Sequence, residues 1–589
     1  MPAASISTPR KLLFAALIAF LPPLFLVALL EISLRAVGYG YSPRFWEEAM
    51  IDSTAVDAPN PDFTRLFFPE ALKRLFVPFA VPKEKASDEF RVLVLGGSAI
   101  NGDPDPGYSV PRMVERQLNH VQGERRVVVI NAALTACNSH VAREIAKDFG
   151  RLRPDMIVVY MGNNEVVGPF GPANRISAGR LGSTLPRAQV AVRKTRTGQW
   201  IQSLVEPAEA SAQEWRGMQH FLAYRFPWES PDLESVYENF AHNLAFIARR
   251  AARSGVPVLF STVAVNLHDQ PPFFGEAAAA AFSEAERLAA AGDTHAAADT
   301  FQRARDLDEL RFRADSRTNE IIRTTAESHP NARLLDAEAA FQERAAQPAP
   351  GFEFFYEHVH FNFHGAYVLS RLMAEAVLHN AEDLVKPRAG WLGFEEMQAH
   401  LAFTDYDVWT ILREIINRFD NPPFTGIENY ATRVQWMRDL YAHFSESIAL
   451  AETKTRVNRQ YVDAIRARPG DAELRARLAR FFVANDRPAE ALPLLRKLVR
   501  KQPNDLSTLD TLLRAAMMTT SWEDVAEHHA DLARITPHHP GVPLYRAGAA
   551  FHRGETRTAK RLLAEYTDAR GSGSATRPLE EALAGHSQP

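Results

Sequence analysis

Two apolar runs that end in glycine-bearing polar blocks constrain this chain more than any other feature. Val92-Leu93-Val94-Leu95 runs into Gly96-Gly97-Ser98, and Met156-Ile157-Val158-Val159-Tyr160-Met161 runs into Gly162-Asn163-Asn164-Glu165. Short continuous apolar runs closed by turn residues read as strands buried on both faces. Such strands belong to parallel sheets with helices on both sides, and these sheets carry their sites at the strands' carboxyl ends. Candidate strands at 90–95, 127–130, 156–161, 256–261 and 333–335 alternate with helical stretches such as 110–121 and 139–152. The expectation is an α/β domain over 88–385, interrupted by helical insertions at about 175–235 and 274–328. Residues 36–87, rich in proline and aromatics without a clear period, read as a connector packed on that domain.

The C-terminal third has a different rhythm. Pro469, Pro503 and Pro537 are each 34 residues apart. Ala491, Val525 and Ala559 keep the same step, as do Phe482, Ala516 and Ala550. A 34-residue period with helix pairs between prolines is the tetratricopeptide signature. An all-α solenoid is therefore expected over 455–570, after a helical linker at 386–454 and before a disordered tail at 571–589. Each helix pair in such an array buries its apolar face mainly on its neighbours, so the repeats are expected to be a nearly separate folding unit. Their concave face is the expected seat of a protein partner. A single weaker match, Ala297-x3-Phe301-x2-Ala304 after Gly292, lies in the second insertion.

At the N-terminus, residues 12–30 are uncharged and strongly apolar, and Arg10-Lys11 precede them. Nineteen residues are about enough to cross a bilayer. Basic residues before the stretch favour a cytoplasmic N-terminus and an exported body. Glu31-Ile32-Ser33-Leu34-Arg35 offers no small-residue cleavage site, so 1–35 reads as a tip and single-pass anchor rather than a removed signal. The net charge of −4 gives no attraction to nucleic acid. One cysteine, Cys137, excludes an internal disulfide and any zinc-type cysteine spacing.

The third informative block is Glu357-His358-Val359-His360. A serine at a strand end, a histidine offset by three from an acid, and an asparagine amide are the parts of an acyl-transfer site. Ser98 is the candidate nucleophile and His360 the base. Glu357 would hold the imidazole tautomer. The Asn164 side chain with the backbone N–H groups of Ser98 and Ala136 would form an oxyanion hole. Cys137 lacks an acid–base partner in sequence and reads as a small buried residue. Arg311 and Arg313 read as a solvated helix face rather than anion ligands. His358, His360 and His364 have no second carboxylate cluster that would make a metal site.

These residues resemble blocks I, II, III and V of SGNH (GDSL-type) hydrolases. Gly96-Gly97-Ser98 looks like block I and Asn131 through Ala136 like block II. Gly162-Asn163-Asn164-Glu165 looks like block III, and Glu357-x-x-His360 like block V. The resemblance implies a flavodoxin-like parallel sheet and ester chemistry with no metal or other cofactor. The strings around Asn164 and His360 are similar to a bacterial subgroup that joins an N-terminal anchor, an SGNH domain and tetratricopeptide repeats. The implied substrate is an ester-bearing glycan or small molecule in the cell envelope. The implied location is the inner membrane, with the catalytic domain periplasmic. A polysaccharide O-acyltransferase and a non-catalytic assembly scaffold are the alternatives. The chain departs from the family at Gly97, where it has Asp or Glu, and at Ala136, the oxyanion glycine. Glu357 and Glu165 each stand where the family has Asp.

Overall fold

The computed structural model describes residues 8–121, 125–174, 186–205, 217–381, 384, 390–502 and 504–585, and the side chains of these apart from 8–20 and 205. Residues 36–87 are more than a connector. They contain an antiparallel sheet of β1 (Trp46–Ile51), β2 (Thr54–Pro59) and β3 (Val81–Pro82). Asp52 and Ser53 both adopt positive φ in the β1–β2 turn, a conformation that glycine or asparagine normally marks, so the sequence carried no hairpin signal. Phe45, Phe63, Phe67 and Phe76 around this sheet pack into the main core.

The central sheet has five parallel strands: β4 (Glu89–Gly96), β5 (Arg126–Asn131), β6 (Met156–Tyr160), β7 (Val258–Ser261) and β8 (Ala332–Leu335). Their order is β5-β4-β6-β7-β8. This is the flavodoxin-like order, with its switch point between β4 and β6, beside the carboxyl end of β4. Every residue of β4 and β6 is buried, which is why both read as unbroken apolar runs. Helices Val110–Val121, Ser139–Lys147, Pro231–Ala252 and Ser316–Glu327 are among those that flank the sheet.

Arg311 and Arg313 do not lie on a solvated helix face. Both are buried in the irregular segment between helices Thr294–Leu307 and Ser316–Glu327. Arg311 donates to the carbonyls of Phe226 and Asp306, at 3.0 and 2.6 Å. Arg313 donates to those of Asn266 and Gln270 at 2.9 Å and to Asp308 at 3.1 Å. Five guanidinium donors in a rigid fork suit this gathering of loop carbonyls.

The region expected as a linker belongs largely to the core of the sheet domain. Met397, Leu401, Ile411, Ile415, Phe419, Val434 and Met437 join the same apolar cluster as the sheet. A second cluster takes in Ala402 and then runs from Val457 through the helix pairs that follow. In those pairs Ala491, Val525 and Ala559 are fully buried at equivalent first turns. The backbone keeps the period as well. Asp486, Thr520 and Gly554, 34 residues apart, all take positive φ in the turn inside each pair. Pro503 lies outside the described residues. The expected disordered tail instead forms helix Arg577–Gly585, because Leu579 and Leu583 bury themselves in the repeat core, with this helix against Leu506–Met518.

The N-terminal stretch lies in helix Thr8–Ala36, with Pro22 and Pro23 inside it. Among the described residues no helix is long and apolar enough to cross a membrane. Arg10 and Lys11, with the first half of the apolar stretch, lie outside the described side chains.

Candidate active site

β4 ends at Gly96, and Ser98 opens the short helix Ser98–Asn101 directly above it. The Ser98 hydroxyl lies 2.8 Å from His360 Nε2. The other ring nitrogen, Nδ1, is hydrogen-bonded to Glu357 Oε1. With that nitrogen carrying the proton, the serine donates to Nε2, the arrangement a nucleophile and general base require. Glu357 is completely buried, and its second oxygen accepts from the Val359 N–H at 3.1 Å. Asn266 tethers this segment from β7's side, donating to the Glu357 carbonyl at 3.2 Å and accepting nothing from the imidazoles. Ser98 and His360 are each only 8% exposed.

His358 is not turned away from the site. Its Nδ1 faces Glu357 Oε2, so one carboxylate serves two imidazoles. Burial alone would raise the Glu357 carboxyl, but His358 and His360 pull it well below the ordinary carboxylate value. His358 is pushed below its ordinary value by burial, which outweighs the pull of Glu357. Burial also opposes charge on His360, yet Glu357, with Asp103 beyond it, holds that imidazole above its ordinary value. His364 lies elsewhere: it is exposed, its Nδ1 meets the Glu353 carbonyl, and its ring stacks on Phe354. Among the described residues no cluster of histidine, cysteine, aspartate and glutamate is arranged for a metal ion.

The block III residues divide the work. The Gly162 position has no space for a side chain, because a Cβ there would stand 2.7 Å from Thr318 Cγ2 on helix Ser316–Glu327. Asn163 accepts from the Ala314 N–H at 2.8 Å and pins the second insertion. Asn164 Nδ2 donates one hydrogen to the Cys137 carbonyl at 3.0 Å, and the amide has a second. Glu165 is buried and accepts from the Ser139 N–H and hydroxyl at 2.9 and 2.7 Å, at the start of helix Ser139–Lys147. Burial pushes its carboxyl up to about 7.

Gly97 now has a physical reason. A Cβ there would sit 3.1 Å from Asn164 Nδ2, so the glycine keeps room for that amide beside the serine. Ala136 holds φ +59°, the left-handed region in which a β-carbon costs roughly 1–2 kcal/mol. Among the described residues, neither the Ser98 N–H nor the Ala136 N–H has a hydrogen-bond partner within the chain. Cys137 is buried, and burial, with Glu165 nearby, pushes its thiol far up, away from nucleophilic use.

Two residues beside the site carried no sequence signal. Arg418, from helix Asp405–Phe419, lies 3.9 Å from Glu357 and pairs with Asp103, whose N–H donates to the Ser98 carbonyl at 3.2 Å. An arginine near the end of a surface-patterned helix looks like any solvated cation, so only the fold reveals it.

Solved structures similar to the chain over about half its length are GDSL-type lipases and esterases. A lipase/acylhydrolase from Enterococcus faecalis is 14% identical, with a TM-score of 0.26, over 51% of this chain and all of its own. A GDSL-like lipase from Bacteroides thetaiotaomicron is 12% identical, with a TM-score of 0.25, over 49% of this chain and 87% of its own. A tetratricopeptide protein described as having an unusual peptide-binding site is 15% identical, with a TM-score of 0.21, over 35% of this chain and 96% of its own. Curated proteins offered no match. Residues 458–516 match the family model of the tetratricopeptide repeat, in agreement with the helix pairs and their 34-residue step.

Proposed function

We propose that the protein cleaves or transfers an acyl group on an oxygen ester, with Ser98, His360 and Glu357 as its catalytic residues. The observation that carries this reading is the continuous line from Ser98 Oγ through both nitrogens of His360 to buried Glu357. Ser98 Oγ attacks the ester carbonyl carbon, and its proton passes to His360 Nε2. The tetrahedral oxyanion is met by the N–H groups of Ser98 and Ala136 and the free hydrogen of the Asn164 amide. Each such donor is worth about 3 kcal/mol of barrier. Collapse breaks the carbon–oxygen bond, and His360 returns the proton to the leaving alcohol. Water, or a sugar hydroxyl in the transferase version, then attacks the acyl-serine. It gives its proton to His360, which hands it back to Ser98. A site this closed suits short acyl groups.

The proposed setting is the outer face of the bacterial inner membrane, with residues 12–30 as the span. Leu21, Leu24, Phe25, Leu26, Val27, Leu29 and Ile32 are 49–68% exposed, which water alone would not favour. The helix base is fixed to the body, since Glu31 accepts from the N–H groups of Arg196 and Thr197 at 3.1 and 2.8 Å. The helix that begins there, Arg196–Val205, exposes Trp200, Ile201 and Leu204. The repeats are proposed to hold a protein partner. One experiment tests the catalytic reading: a fluorophosphonate probe should label Ser98 in the full chain, while aryl acetate is turned over. Failure of both would favour a scaffold. Faster acyl release on adding a polysaccharide acceptor would favour the transferase version over hydrolysis.

A further inference from the structure

A cavity away from Ser98 is formed by residues from Tyr406 to Arg514. It has a volume of about 410 Å3 and lies where helices Asp405–Phe419, Tyr430–Ala449 and Ala451–Ala467 meet the first repeats. That volume is within the range of ligand sites. Part of its wall, Tyr406 to Val457, precedes the residues that match the tetratricopeptide model, and the rest, Arg480 to Arg514, lies within them. Its charge is one-sided. Arg413, Lys454 and Arg514 line it from three different helices, and among the described residues none forms an ion pair with a carboxylate. Arg480 also lines it but is already matched, donating to Glu473 at 2.6 Å. The one acid in the wall, Asp510, is engaged by the Tyr545 hydroxyl at 2.7 Å.

Three unmatched cations around one cavity repel one another, and an anionic ligand removes that cost. The aromatic part of the wall distinguishes between anions. Trp409 is stacked on Tyr441 with rings 5.7 Å apart and 14° from parallel, and the Arg413 guanidinium sits 5.0 Å from its centre. Tyr406 meets Phe481 edge to face. The rings are thus committed to one another and do not offer a free platform for a sugar. What they leave is an apolar floor beside hydrogen-bonding groups, Asn485 and Thr511. An extended peptide with carboxylate side chains among aliphatic ones fits that mixture.

We infer that this cavity is a binding site for an acidic segment of a partner protein, with Arg413, Lys454 and Arg514 taking its carboxylates. The inference rests on the reading of the repeats as a partner-binding module and names the chemistry of that partner. The test uses the full chain in detergent and an octapeptide display library. Peptides recovered should be enriched in Asp and Glu over the input. Their affinity should fall as salt rises, as expected for exposed charges. The variant R413E/K454E/R514E should bind the recovered peptides at least tenfold more weakly and should not enrich acids. The milder R413Q/K454Q/R514Q serves if charge reversal disturbs folding, with the thermal midpoint as the check. Enrichment of basic or purely apolar peptides would overturn the acidic ligand while leaving a partner site. The same acidic peptides recovered on the variant would move the site elsewhere. Retention of polygalacturonate with no peptide enriched would overturn both this inference and the partner reading.

Discussion

Two buried polar clusters flank the segment that follows Ser98, and they are built to opposite ends. The first joins Ser98, His360 and Glu357. The second joins Asp105, Tyr108, Asp407, Tyr461 and Arg477. In the second, Arg477 donates to Asp407 at 2.7 Å and to the Tyr108 hydroxyl at 3.0 Å, and it pairs with Asp105. Tyr461 donates to both oxygens of Asp407, and the Thr404 hydroxyl donates to one of them. Charge there is met by opposite charge, and the cluster is shut. The first cluster is different. Among the described residues it leaves the N–H groups of Ser98 and Ala136 and one Asn164 hydrogen without partners, all beside a hydroxyl that can lose its proton. Unused donor capacity next to a nucleophile marks chemistry, whereas complete internal matching marks architecture.

The largest expected effect lies in the first cluster. Ser98→Ala should lower aryl acetate turnover by about 10^4-fold or more, because triad members act as a unit. Its thermal midpoint should stay within a few degrees of the parent, since a small hydroxyl is removed from a group with an exit to solvent. Parent-like turnover would end the distinction between the clusters.

Next comes Glu357→Gln, expected to lower turnover about a thousandfold at neutral pH by losing the carboxylate that orients His360. It also reads the electrostatics. Glu357 holds the His360 imidazole above its ordinary value, and the base works only when neutral. In the parent, kcat/KM should therefore rise with pH through a midpoint above about 6.5. In Glu357→Gln that midpoint should fall, because the raising charge is gone. An unmoved midpoint would mean that another group titrates. His358→Ala should cost much less, about tenfold, since it removes only the second imidazole on Glu357.

The second cluster should respond in stability. Arg477 belongs to helix Ala472–Ala484 of the repeats, while Asp105 and Tyr108 belong to the sheet domain. Arg112 and Arg116 add a second crossing, both pairing with Asp471. Arg477→Ala would leave Asp105 and Asp407 buried without their cation, a change worth about 3–5 kcal/mol. Denaturant unfolding should show that loss, and turnover per folded molecule should fall less than tenfold. Truncation before Arg468 should destabilise the catalytic domain for the same reason, contrary to the expectation of a nearly separate repeat module. Two apolar cores do exist, as the periodicity implied, but the polar seam between them joins them.

That seam shows where sequence reasoning reaches and where it stops. The five parallel strands were legible because burial on both faces writes them as apolar runs. The repeats were legible because packing repeats every 34 residues. Ser98, Asn164, Glu357 and His360 were legible because each sits in a short block with its neighbours, and only their meeting needed the fold. Arg477, Asp105 and Arg418 had no such block. Their partners lie hundreds of residues away and each looks locally like a surface charge. The β1–β2 hairpin was hidden for another reason, since Asp52 and Ser53 occupy a turn that normally announces itself with glycine. The tail helix was hidden because two leucines among small and polar residues suffice when an apolar repeat surface is waiting to be covered.

The smallest expected effect is at Ala136, and it probes the edge of the first cluster. Its φ of +59° is compatible with glycine and strained for alanine. Ala136→Gly relieves a strain of roughly 1–2 kcal/mol but adds freedom to the unfolded chain, which returns about 0.5–1 kcal/mol. The net gain should be about 1 kcal/mol or less, read as a higher denaturant midpoint with an unchanged slope. The N–H that faces the developing oxyanion is kept, so the hole survives. Removing the methyl widens the approach to Ser98, and turnover of the acetyl ester should rise a few-fold, with a larger rise for a butyryl ester. Ala136→Val should do the reverse, because a β-branched residue is a true outlier at this φ. A valine variant as stable and as active as the parent would show that position 136 lies outside the hole, and the unused N–H there would need another explanation.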